Sequence, residues 1–240
     1  MPRALQRFYQ ALPSVIPGEE RVTESNLEPA LELMRECVAR AIETGVRIDV
    51  DELERRELEA GLVRDLELLL RAAAASESTF VPRKLEVPFR FELEPGVRVS
   101  GKIDRIDGDP MSARGIVVDY KSGRASSASD IERDELLQIP LYMLVLRDQL
   151  GLEAMGGVYV PVGGVRKIRG MLRDGDERVP GFVAADYLEP QHFDTVIEEA
   201  RATAIGLVER IKGGDIKHDP RGGECPSWCD LWRMCRKPRA

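Results

Sequence analysis

Between Val97 and Tyr142 apolar and charged residues alternate with the period of two that paired strands require. In Val97–Asp107, Val97, Val99 and Ile103 share one face, and Arg98, Ser100, Lys102 and Asp104 the other. In the stretch 115–121, Ile116, Val118 and Tyr120 face one way, and Val117, Asp119 and Lys121 the other. A sheet does not spend an inner face on acid and lysine without return, because an unpaired buried charge is costly. Two carboxylates brought together from neighbouring strands repel, and a divalent cation relieves that repulsion. Hard cations such as Mg²⁺ or Mn²⁺ take one or two carboxylates, with waters and substrate phosphate completing the shell. Lys121, two residues past Asp119, shares its face and can stabilise a hydroxide or the charge growing on a phosphate.

Asp-x-Lys alone is a weak signal, since surface ion pairs use the same letters. Asp104, followed by a turn and a second alternating strand carrying Asp119 and Lys121, is a stronger one. The bland alternative is a solvated hairpin face with one ion pair.

Three segments, Gly101-Lys-Ile-Asp104-Arg-Ile-Asp107, Asp119-Tyr-Lys121 and Gln138-x-x-x-Tyr142, resemble motifs of the PD-(D/E)xK nuclease superfamily. Within it they are most similar to RecB-like nuclease domains of AddAB-type helicase–nucleases. The resemblance implies an α/β fold, a restriction-endonuclease-like mixed central sheet flanked by helices. It implies Asp104 and Asp119 as metal ligands, the Tyr120 backbone carbonyl as a third oxygen, Lys121 as catalytic lysine, and Gln138 and Tyr142 as residues that shape the site and contact DNA. It further implies a Mg²⁺- or Mn²⁺-dependent deoxyribonuclease, a single-strand exonuclease acting in DNA repair or recombination with a helicase domain or subunit.

The chain's 240 residues suit one large domain with an appendage, and 43% hydrophobic residues supply an ample core. No apolar run reaches membrane-span length, and the N-terminus lacks a signal-peptide core, so a cytoplasmic protein is expected. A formal net charge of −7 excludes gripping nucleic acid by bulk positive potential, but Arg83, Lys84, Arg98, Lys102, Arg105 and Arg124 concentrate around the candidate site.

Three regions are expected: a helical segment over 1–80, a nuclease core over 81–215 and a cysteine-bearing segment over 216–240. Residues 1–24, with Pro2, Pro13 and Pro17, read as an irregular lead-in. Ser25 caps a helix with a Leu27, Leu31, Met34, Val38, Ala41 stripe, ended by Gly45. A second helix spans 51–75 with Leu58, Leu62, Leu66, Leu69 and Ala73 inward. The resembled family places a further Glu or His on a helix before the first strand. Both histidines here, His192 and His218, are downstream, so Glu57, Glu59 and Glu67 are open substitutes.

Residues 85–94 should pair with 97–107 across Pro95-Gly96. Glu86 is either a catalytic carboxylate or a structural ion-pair partner. A small polar loop over 122–129 leads to a helix that begins just before Pro140 and aligns Gln138 with Tyr142. A strand over 154–162, a surface excursion over 163–190 and an amphipathic helix from Phe193 to Ile211 complete the core.

Four cysteines, Cys37, Cys225, Cys229 and Cys235, match a [4Fe–4S] cluster or, less well, a structural zinc, because no Cys-x-x-Cys knuckle exists. The pattern resembles the iron–sulfur staple of AddB-type domains, with one interval a residue longer than the usual Cys-x-x-Cys-x₅-Cys. Rival readings are a non-catalytic nuclease fold that guides DNA or stabilises a helicase, a CRISPR adaptation nuclease, and a zinc-stapled protein.

Overall fold

A computed structural model describes residues 2–45, 51–163, 167–175 and 178–215. Six strands form one sheet in the order β1 to β6: β1 (Val81–Glu94), β2 (Val97–Gly108), β3 (Arg114–Lys121), β4 (Glu153–Pro161), β5 (Arg169–Arg173) and β6 (Tyr187–Leu188). The pairs β1–β2, β2–β3 and β4–β5 are antiparallel, whereas β3–β4 and β5–β6 are parallel. The parallel β3–β4 pair requires a crossover. It is made by α4 (Ala128–Arg133) and α5 (Gln138–Leu144), the latter running into a π turn over Val145–Gln149.

Successive residues of β3 feed opposite cores. Ile116 and Val118, with Val158 and Val160 of β4, pack under α1 (Pro2–Val15), α2 (Leu27–Gly45) and α3 (Glu52–Ala74) through Phe8, Leu31, Met34, Leu66 and Leu70. Val117 and Tyr159 pack on the other face with Ile131, Ile139 and Met143 and with Phe193 and Ile197 of α6 (Pro190–Lys212). The sheet is thus covered on both sides, and Asp119 and Lys121 fall on the α4–α6 side with Val117.

Several expectations need correction. The lead-in over 1–24 is largely the helix α1: Leu5, Phe8 and Leu12, at spacings of three and four, are buried. Pro2 sits in its first turn, where proline costs nothing, and Pro13 falls in its last. The helix α2 is preceded not by a Ser25 cap but by a short 3₁₀ turn, in which Asn26 and Thr23 form a reciprocal capping box. Leu58 is exposed, because α3 buries only its second half, at Leu66, Leu69 and Leu70. The excursion over 163–190 contributes β5 and β6 to the sheet edge. Asp186 anchors it, fully buried and accepting from Arg169 Nε at 2.8 Å.

Candidate active site

The β2–β3 ladder ends where the chemistry begins. Backbone pairing runs from Gly108–Gly115 to Arg105–Val118. One step further the Tyr120 N–H donates to Asp104 Oδ2 at 3.0 Å, a carboxylate in place of a carbonyl. The Lys121 carbonyl accepts from Val162 N on the β4 side. Alternation along a strand therefore turns the Tyr120 carbonyl toward β2, the side of Asp104.

Asp104 also marks an irregularity in β2. Ile103 and Ile106, three residues apart, belong to the same core, so the face parity changes between them. Opposite, Leu85 pairs with Arg105 and Val87 with Ile103, which sets Glu86 across from Asp104. Glu86 has a φ of 50°, a left-handed conformation uncommon outside glycine. Its side chain, 12% exposed, pairs with the Lys102 ammonium. Glu86 is thus an ion-pair partner whose charge also bears on Asp104.

Asp119 is buried, and α5 reaches it because of one glycine. A Cβ on Gly157 of β4 would lie 2.4 Å from Ile139 Cγ2 and 2.6 Å from Val117 Cγ2. Without that Cβ, Ile139 rests on the strand and its neighbour Gln138 reaches the carboxylate. Pro140 is accommodated in the first turn of α5, whose N–H groups have no helical partner. Gln138 Nε2 donates to Asp119 Oδ1 at 2.7 Å and to the Tyr142 hydroxyl at 3.1 Å. Gln138 Oε1 accepts from Lys121 Nζ at 2.6 Å. This amide orientation alone satisfies all three partners, since ammonium and carboxylate need opposite ends. The Tyr142 hydroxyl donates to the Lys102 carbonyl at 3.2 Å, and its ring meets Phe89 edge-on. Lys121 Nζ lies 2.7 Å from Asp119 Oδ2 and 5.0 Å from the centre of the Tyr159 ring.

The five side chains singled out from the sequence, Asp104, Asp119, Lys121, Gln138 and Tyr142, therefore lie together. Burial raises the Asp104 carboxyl above its ordinary pKa. The Tyr120 N–H opposes this, while Asp119 and Glu86 push it further up. Asp119 Oδ2 is buried and lies 2.7 Å from the Lys121 ammonium, its ion-pair partner. Two neighbouring carboxylates, one of them raised in proton affinity by burial and by the other's charge, are the conditions a hard cation satisfies. Among the described residues no three His, Cys, Asp or Glu side chains group with metal-holding geometry. The fit is to a cation that takes two carboxylates and keeps its waters.

Behind Asp104 the Arg105 guanidinium lies over the Tyr9 and Tyr120 rings and donates to the Tyr120 hydroxyl at 2.6 Å. Its Nη2 donates to Asp107 at 2.9 Å, while its Nε, 2.7 Å from Asp107 Oδ1, is off-line. This network ties α1 to the strand that carries Asp104. It also borders a cavity of about 340 Å³ lined by Tyr9, Val118, Val160 and Phe182, on the sheet face opposite Asp119.

Of the helix-borne acids, Glu67 pairs with Arg35 of α2 at 2.7 Å, Glu57 is exposed and Glu59 is half-buried. Asp65, not singled out from the sequence, lies beside Gly163 just beyond the end of β4. A Cβ on Gly163, two residues beyond β4, would lie 3.4 Å from Asp65 Oδ2 and 4.0 Å from the carbonyl of Ser122, the residue after Lys121. Cys37 is a buried free thiol whose pKa burial raises. Cys225, Cys229 and Cys235 lie outside the described residues. No described helix is long and apolar enough to cross a membrane.

No curated protein matches the sequence significantly. A family model for the PD-(D/E)XK nuclease superfamily matches residues 3–236. With nearly the whole chain matched and a mixed sheet covered by helices on both faces, this protein belongs to the PD-(D/E)XK nuclease superfamily.

Proposed function

We propose that this chain is a Mg²⁺- or Mn²⁺-dependent deoxyribonuclease that hydrolyses phosphodiesters in single-stranded DNA. The observation that carries this reading is the buried Asp119 carboxylate, ion-paired with Lys121 at 2.7 Å, beside a second carboxylate, Asp104, whose proton affinity is raised. Asp104 and Asp119 would hold the cation, with the Tyr120 carbonyl as a further oxygen. When bound, a divalent cation supplies a lowered water pKa and neutralises charge on the phosphoryl oxygens.

The remaining roles belong to the protein. Lys121 offers its ammonium to the phosphate or to the attacking water. Gln138 holds Lys121 and Asp119 at fixed separation through one amide, and Tyr142 holds Gln138. Asp65, which borders Gly163 just beyond β4, is a candidate for the carboxylate expected on a helix, beside Glu57, Glu59 and Glu67. Action as an exonuclease beside a helicase in repair or recombination follows from the sequence resemblance. So does a [4Fe–4S] cluster on Cys37, Cys225, Cys229 and Cys235. Elemental analysis after anaerobic purification separates iron from zinc.

The test is digestion of an end-labelled single-stranded oligonucleotide with Mg²⁺ or Mn²⁺. Cation-dependent cleavage that disappears in Lys121→Ala and falls in Asp65→Asn supports the assignment. Cleavage equal in the wild type and Lys121→Ala would favour a non-catalytic, DNA-guiding fold.

A further inference from the structure

The β1–β2 hairpin outruns the rest of the sheet. β1 pairs with β2 from Val81–Gly108 to Glu94–Val97, whereas β2 pairs with β3 only over Arg105–Gly108. One face of the projecting part is apolar, and Phe89, Phe91 and Val97 join the core beneath α5 and α6. From α6, Arg201 Nη1 donates to the Leu93 carbonyl at 3.2 Å and Lys212 Nζ to the Gly96 carbonyl at 2.9 Å, fixing the tip. A Cβ on Gly101 would lie 2.8 Å from the Phe89 ring, so that ring lies flat across the ribbon and meets Tyr142 of the site.

The outer face is different. It exposes Arg90, Arg98, Ser100 and Lys102, with Arg90 opposite Ser100 and Pro88 opposite Lys102. Arg98 faces Glu92 at 3.7 Å and Lys102 faces Glu86; their side chains are 65% and 54% exposed. The Arg98–Glu92 pair, exposed on both sides, holds little energy and exchanges readily for another anion, whereas Glu86, 12% exposed, keeps Lys102. No carboxylate among the described residues pairs with Arg90. On a chain of net charge −7, this stretch places Arg90, Arg98 and Lys102 against Glu86, Glu92 and Glu94, with Arg90 and Arg98 exposed. The row also leads somewhere: Lys102 is two residues from Asp104, and its carbonyl is tied to Tyr142. From Arg98 to Lys102 the strand advances roughly 13 Å.

We propose that the outer face of the β1–β2 hairpin is a track for the phosphate backbone of the DNA strand being cut, with Arg90, Arg98 and Lys102 leading it to Asp104, which continues their row on β2. The inference rests on the nuclease reading and adds to it the surface that supplies the grip. Phosphates displace Glu92 from Arg98, and the strand lies along the ribbon toward Asp104.

The experiment compares the wild-type protein with Arg90→Glu/Arg98→Glu. Fluorescence anisotropy of a labelled single-stranded oligonucleotide is followed in EDTA across a KCl series. Cleavage of that oligonucleotide and of bis(p-nitrophenyl) phosphate, too small to reach the hairpin, is followed with Mn²⁺. The variant should bind about tenfold more weakly, with a salt slope shallower by about 1.4 for two lost phosphate contacts. Its turnover of the small diester should equal that of the wild type, which also shows that the fold is intact. Unchanged affinity and slope in a variant that still cleaves would discard the track and leave the nuclease. A wild type that neither binds nor cleaves would discard both.

Discussion

Gly157→Ala tests how the fold sets the site, at a residue that touches no substrate. The added Cβ would lie 2.4 Å from Ile139 Cγ2 and 2.6 Å from Val117 Cγ2, against 3.4 Å or more for ordinary contact. Val117 belongs to the central strand and cannot withdraw, so α5 must retreat by about 1 Å. The Gln138–Asp119 hydrogen bond, now 2.7 Å, would stretch beyond bonding range, and the Lys121–Gln138 bond would go with it. Overpacking costs about 1–3 kcal/mol, offset by up to about 1 kcal/mol because alanine orders more cheaply than glycine. The net loss of about 1–2 kcal/mol lowers Tm by roughly 2–8 °C in a protein of this size. Misplacement of a positioning group by about 1 Å can cost about a hundredfold in rate. The assays are thermal unfolding by circular dichroism and kcat on a labelled strand. Gly157→Ala/Ile139→Ala, which removes one of the two clashing methyls, should regain part of the rate. A Gly157→Ala protein with wild-type Tm and wild-type kcat would refute the argument that close approach of α5 to β4 builds the site.

Arg105→Met should cost about 3–5 kcal/mol, because it leaves the Asp107 carboxylate without its guanidinium in a buried position; urea denaturation reads the loss, and a loss below about 1 kcal/mol would show the network to be dispensable. Asp130 closes the N-terminal box of α4 with Ser127, whose hydrogen bonds hold its carboxyl down at about 2. A lowered pKa stabilises the fold above the unfolded-state value near about 3.9, and that contribution is lost as pH falls toward 2. Asp130→Asn should therefore be less stable than wild type at neutral pH, and the gap should narrow between about pH 4 and pH 2 in acid-unfolding curves. Gln138→Glu places a third carboxylate against Asp119 and should lower kcat on a labelled strand by about tenfold or more, with far-ultraviolet circular dichroism unchanged.

Most of the site was legible because strand alternation and chain order are local. Asp104, Asp119 and Lys121 lie on paired strands whose turn residues mark the register, and four-residue spacing aligns Gln138 with Tyr142. The helix α1 was hidden by its prolines, although Leu5, Phe8 and Leu12 already carried the stripe. Strands β5 and β6 were hidden because their stability is not local. A Gly-, Arg- and Asp-rich segment pairs only because β4 offers an edge and Asp186 finds Arg169. Leu58 continued a stripe that tertiary contact abandons halfway along α3. The place of Asp65 beside Gly163 was not legible, because no spacing rule brings a helix residue to the end of a distant strand. Its one signal was a place among Leu62, Leu66 and Leu69, near the packed side of α3.

The cation between Asp104 and Asp119 is the claim on which the rest depends, and thermal unfolding in a Mn²⁺ series measures it without requiring turnover. Wild-type Tm should rise with Mn²⁺, equivalent to about 2.7 kcal/mol at a hundredfold excess over Kd. Asp104→Asn and Asp119→Asn should abolish that rise, and Asp104→Asn should exceed wild-type Tm in EDTA, because a raised carboxyl pKa marks a charge the fold disfavours. An equal Mn²⁺-induced rise in the wild type and both variants would contradict the account.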